Sequence, residues 1–146
     1  MNIVSSLALV VTVGCISGCA TTAESPIFNV PLHATQHNVG HIAQATLAPM
    51  GSDTDISLFI GGVPGWTALP LHVYTYIYPG KCESLGPKPA YEMNQTVTTT
   101  RMSSRTWHLS KNAPVALSEL RSGDYAIVLR ASPADGGFNL FCGNIA

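Results

Sequence analysis

Charge is scarce in this chain. Asp, Glu, Lys and Arg make up 10 % of 146 residues, seven basic against eight acidic. A nucleic-acid footprint needs a basic patch or stripe, so this balance excludes nucleic acid as a partner. No basic run and no acidic tail occurs. Also missing are internal repeats, low-complexity blocks and any amphipathic stretch of helical length. Beyond the N-terminal segment no apolar run is long enough to span a bilayer. No phosphate loop, Ser/His/Asp order or paired-carboxylate pattern stands out. His108 and Ser110 sit two apart, which on a strand puts them on one face without making them base and nucleophile.

What charge there is avoids the N terminus: Met1 to Cys19 contain no charged side chain and carry an apolar run, Leu7 to Val13. A run this short fits the apolar region of a signal peptide rather than a membrane span. The segment ends Ile16-Ser17-Gly18-Cys19. This resembles the lipobox of bacterial lipoproteins: an aliphatic residue, two small residues, then Cys. The resemblance implies that residues 1–18 are removed and that Cys19 becomes the lipidated first residue, carrying palmitate-type acyl chains. Gly14-Cys15 is a poorer match, with Thr12 where an aliphatic residue belongs. The alternative is an ordinary secretory signal cut near Ala20 or Ala23. Ala20 is not Asp, so nothing argues for retention in an inner membrane. The expected location is therefore the cell envelope, as an outer membrane lipoprotein on the periplasmic face or the cell surface. Residues 19–26 read as the lipidated Cys and a short tether ending in Pro26, and residues 27–146 as one domain.

With Cys15 removed and Cys19 acylated, Cys82 and Cys142 remain. An even pair in an exported chain reads as a disulfide, with two free thiols as the alternative.

The domain is strand-like throughout, with Val/Ile/Thr/Tyr-rich runs between Gly, Pro, Asn and Asp. Strands are expected over Ile27 to Ala34, Gly40 to Ala48, Thr54 to Gly61, Leu69 to Tyr78, Gln95 to Thr100, Arg105 to Leu109, Tyr125 to Ala131 and Phe138 to Cys142. Val115 to Leu120 is expected to form one helical turn. In the fourth run Leu71, Val73, Thr75 and Ile77 share one face, and His72, Tyr74, Tyr76 and Tyr78 the other. Short strands without intervening helices predict an all-β, antiparallel Greek-key sandwich or barrel.

Several spaced features resemble the copper/zinc superoxide dismutase family and its chordin-type relatives. Gly62-Val63-Pro64-Gly65, then Leu71-His72-Val73-Tyr74, is similar to a turn leading into the family's His-Val-His strand. Cys82-Glu83-Ser84-Leu85-Gly86-Pro87-Lys88 resembles its Cys-x-Ser-x-Gly-Pro-His segment. Phe141-Cys142-Gly143-Asn144-Ile145 resembles its closing Ala-Cys-Gly-x-Ile. The resemblance spans about residues 39–146 and implies an immunoglobulin-like sandwich with Cys82 bridged to Cys142. It also implies four copper-ligand positions. They hold His72, Tyr74, Lys88 and Arg130, or Leu129 in place of Arg130 with a one-residue slip. One imidazole survives. Lys and Arg are cations at neutral pH and Arg has no lone pair to give, so copper and zinc are not expected as cofactors.

The leading expectation is a non-catalytic, lipid-anchored envelope module that meets another envelope protein, a host protein or a glycan. Its candidate binding patch is Tyr74, Tyr76, Tyr78 and Trp66, since Tyr and Trp dominate interface hot spots. Arg101, Arg105 and Lys111 add a cationic edge read as a solvated face. The alternative is a copper- or zinc-handling protein using His33, His37, His41 and His72. The first three recur every four residues, but extended chain would spread successive ones about 13 Å apart. A residual superoxide dismutase comes third. The sequon Asn94-Gln95-Thr96 carries little meaning in a bacterial-type lipoprotein.

Overall fold

A computed structural model describes Gly18 and residues 26–146. Of the expected signal peptide, lipidated Cys19 and tether, residues 1–17 and 19–25 lie outside the described residues. Ten strands form in chain order: β1 (Phe28–Ala34), β2 (Ile42–Met50), β3 (Asp53–Ile60), β4 (Val73–Lys81), β5 (Ser84–Leu85), β6 (Tyr91–Glu92), β7 (Thr100–Arg101), β8 (Trp107–Ala113), β9 (Tyr125–Ala131) and β10 (Asn139–Ile145). One short helix, α1 (Leu117–Ser122), precedes β9. All pairings are antiparallel, in the order β5-β4-β9-β10-β1-β2-β3-β8-β7, with β6 also on β4. The last strand lies beside the first, so β10-β1-β2-β3 has the spatial order of a Greek key. This is the expected class: an antiparallel, sandwich-like all-β fold.

The alternation read in β4 holds. Val73, Thr75 and Ile77 are buried, while Tyr74 and Tyr76 face outward and are partly covered. The inward rows of both halves of the sheet meet in one core. Leu47, Ile56, Leu58 and Ile60 come from β2 and β3, and Ile77, Ile127, Leu129 and Phe141 from β4, β9 and β10. At roughly 2 kcal/mol for burying each such side chain, this core supplies the main stabilising term. A bulge between Asn139 and Phe141 lets consecutive Leu140 and Phe141 both turn inward. The β1–β10 ladder is short, pairing only His33 with Cys142 and Ala34 with Phe141. It stops before Pro31, which has no N–H to donate.

The irregular segment 93–99 fills the seam between β4 and β8, where a strand over Gln95 to Thr100 was expected. Asn94 explains the difference. Its Oδ1 accepts from Thr75 N at 2.7 Å, taking the place of a backbone carbonyl. The segment nevertheless stays on β4, through Met93 N to Thr75 O at 3.1 Å and Val73 N to Val97 O at 2.9 Å. β4 itself starts later than expected, at Val73, because His72 makes only an isolated bridge with Thr98.

Cys82 and Cys142 are joined by a disulfide, with Cα atoms 5.9 Å apart. It straps the hairpin after β4 onto the outer face of β10, and Cys82 N also donates to Asn144 Oδ1 at 2.8 Å.

Candidate functional site

The outer face of β4 and β9 gathers the residues that the sequence singles out. Period-two alternation puts Tyr74, Tyr76 and Tyr78 on that face, and the register sets Arg130 directly opposite Tyr74. The Arg130 guanidinium turns along the strand. Its carbon sits 4.4 Å from the Tyr76 ring centre and 5.8 Å from that of Tyr78. Its Nε donates to Asn139 Oδ1 at 2.8 Å and its Nη2 to the Tyr78 hydroxyl at 2.9 Å. All of these partners are neutral. Cation–π attraction and two charge-assisted hydrogen bonds hold the cation here, each worth on the order of 1–3 kcal/mol when partly desolvated.

The other sequence candidates are dispersed. Tyr78 is buried beneath Arg130 rather than offered to solvent, with 9 % of its surface exposed. Trp66 does not join the tyrosines; it packs edge-on to Phe138 at 5.7 Å. Lys88 is exposed on the β5–β6 connection. His72 is half-buried at the start of β4.

The alternative histidine site is not assembled either. His33 lies on β1 opposite Ile42 and Cys142. His37 stacks on Phe138 at 4.4 Å. His41 packs against the backbone of Gly62, where a Cβ would fall 2.0 Å from its Nδ1. Among the described residues no three His, Cys, Asp or Glu side chains gather as a metal would require. The face that does gather, phenols around a guanidinium, does not fit copper or zinc: arginine has no donor pair, and its charge opposes a divalent ion.

Two features escape sequence reasoning. The first is Lys111, read as part of a solvated edge. It is 5 % exposed. Its amine donates to Met93 O at 2.7 Å and to Thr96 O. It thereby joins β8 to the segment that fills the seam, along a stretch where β8 has no strand on that side. Burial pushes the amine down to about 8 from its ordinary 10.5. The signal was present in the sequence: Trp107, Leu109, Lys111 and Ala113 share one parity, and that parity is the buried one. Arg101 and Arg105 are exposed, as expected.

The second is the partner of His108, which is Ser57 at 2.8 Å across β3 and β8 rather than Ser110. The pair is half-buried on the outer face of the sheet.

Among the described residues no helix is long and apolar enough to cross a membrane. No family model, curated protein or solved structure matches the chain.

Proposed function

We propose that the chain is a non-catalytic, lipid-anchored envelope protein. Its superoxide dismutase-like sandwich serves as an interaction or structural module, with another envelope protein, a host protein or a glycan as partner. The observation that carries this reading is Arg130, locked among Tyr76, Tyr78 and Asn139 at a position where the resemblance calls for a copper-binding imidazole. A fixed cation there supplies the charge that a metal would bring, with no redox couple for dismutation. The lipobox-like Ile16-Ser17-Gly18-Cys19 supports the anchor.

The test is to load the protein with Cu(II) and Zn(II), desalt it, and count ions per chain alongside a dismutase assay. The expected result is no retained copper or zinc and no activity. One tightly held ion per chain would overturn the reading and turn attention to His72 and the N-terminal histidines. The anchor is tested separately by fractionating bacteria that express the chain. Wild type is expected in the membrane fraction and metabolically labelled with palmitate. Cys19→Ser is expected unlabelled and soluble; a labelled C19S chain would disprove acylation at this residue.

A further inference from the structure

The connections β1–β2, β3–β4, β7–β8 and β9–β10 all emerge at the end of the sandwich opposite Pro26, because β1 runs away from Pro26 and the pairings fix the rest. Direct contacts tie them into one surface. Gly61 N donates to Ile42 O at 2.7 Å, Asn38 Nδ2 to Gly62 O at 3.3 Å, and Ala68 N to Asp135 Oδ1 at 3.2 Å. Phe138 lies between His37 and Trp66. A shallow cleft of about 330 Å³, lined by Leu69, Pro70, Thr99 and Arg101 among others, joins the β7–β8 side to the rest.

Nine large apolar side chains stand exposed among the described residues, and six belong to this end: Val39, Ile42, Trp66, Leu69, Met102 and Phe138. Val39 is 77 % exposed and Trp66 is 50 % exposed. Such a concentration of exposed apolar groups at one pole marks an interaction site.

The carboxylates are sorted between the poles, whereas exposed cations stand at both, with Lys81 and Arg121 at the Pro26 end. Arg101 and Arg105 are exposed at the apolar end, while the carboxylates Asp53, Asp55, Glu119 and Asp124 lie toward the opposite end. Glu83 and Glu92 sit on the flanks, beside the disulfide and beside β4. Among the described residues the one carboxylate at the apolar end, Asp135, accepts from the Ser132 hydroxyl at 3.0 Å and from Ala68 N.

Protruding Trp, Phe, Leu and Met stand next to two exposed arginines, of which Arg101 also donates to Ser103 O at 3.0 Å and Ser104 O at 2.9 Å, and this is a composition that partitions into a membrane interface. Exposed arginines at that depth favour anionic headgroups. The geometry points to this loop pole as a docking surface for an anionic lipid bilayer, with the apolar side chains in the interface and Arg101 and Arg105 on the headgroups. This goes beyond the module reading by adding a lipid surface to the protein or glycan partner proposed there. It does not depend on the acyl anchor, because that anchor enters at the other end.

The chain reports on this itself, because Trp66 is exposed while Trp107 is buried in the core. The full chain carrying Cys19→Ser is mixed with phosphatidylcholine vesicles made with and without phosphatidylglycerol. With phosphatidylglycerol, Trp66 emission is expected to shift to the blue and to be quenched by nitroxide-labelled lipid, with little change on phosphatidylcholine alone. Arg105→Glu, whose melting should match wild type because Arg105 is exposed, is expected to lose about thirtyfold in sedimentation with the anionic vesicles. Met102→Asp should also lose binding. Unmoved Trp66 emission, or equal binding of R105E, would overturn the proposal. So would a dimer in light scattering that M102D dissociates in the absence of vesicle binding, since a second copy of the chain would then cover the pole.

Discussion

Replacing Cys82 and Cys142 by serine is expected to lower stability by about 4 kcal/mol, which for a domain of this size is a drop of roughly 15 °C in melting temperature. The cross-link spans 60 residues of sequence. Without it the unfolded chain regains the freedom to separate those points, while the folded chain loses the strap that holds the β4–β5 hairpin on β10. The hairpin has little else to keep it there, since β5 pairs only Leu85 with Gly80 and Ser84 with Lys81. Typical domains hold about 5–15 kcal/mol in total, so the serine variant sits near the margin. Thermal melts of oxidised wild type and C82S/C142S check this. A difference under roughly 3 °C would mean that the unfolded chain is already compact about this loop.

The second large effect is an alkaline gain in stability that originates at Lys111. Its amine titrates at about 8 in the folded chain against 10.5 ordinarily. Between those values the unfolded chain binds more protons than the folded one, so stability rises with pH across that window. Below pH 8 both states are charged, and the cost of holding an ammonium in the seam is fully present. The gain is up to about 3 kcal/mol, an upper bound because the residue also lines an open cleft with Glu92, Gln95 and Ser110. Denaturant unfolding at pH 7.5 and at pH 10 should show wild type gaining relative to Lys111→Met, with tyrosine ionisation cancelling in the comparison. Parallel pH profiles for the two proteins would show that the amine stays solvated. The two backbone carbonyls on Lys111 lose their donor in the variant. K111M is therefore also expected to be less stable than wild type above pH 9, where the amine is neutral and still donates.

Strand existence was largely legible from residue order. Tyr125 to Ala131 is found as expected, and β1, β2 and β3 differ from expectation by one or two residues at their ends. Those runs alternate or stay apolar, and tertiary packing rewards both patterns. Two of the misses involve polar side chains that do backbone work. Asn94 imitates a carbonyl and dissolves an expected strand, while β8 runs four residues past Leu109 on its pairing with β3, and in that stretch the buried Lys111 bonds across the seam. The Lys111 parity is visible in the pattern of apolar and polar letters, but the bonds that Asn94 and Lys111 make are not, because each depends on what lies opposite in space. The candidate site was half legible. Tyr74, Tyr76, Tyr78 and Arg130 do converge, since alternation and register suffice to bring them together. Trp66, His37 and His41 do not, because their loops answer to Phe138 and Gly62, contacts far away in sequence.

The place of β1 has a mechanical consequence. The chain enters the sandwich at the start of a strand that lies inside the sheet, hydrogen-bonded to β2 along six successive residue pairs from Phe28–Leu47 to His33–Ile42. Tension applied through the N terminus therefore runs nearly parallel to the strand. It loads those six pairs in shear, all at once, instead of peeling them one after another. Under the proposed anchor and docking pole, the strand that receives the force would be the last to yield.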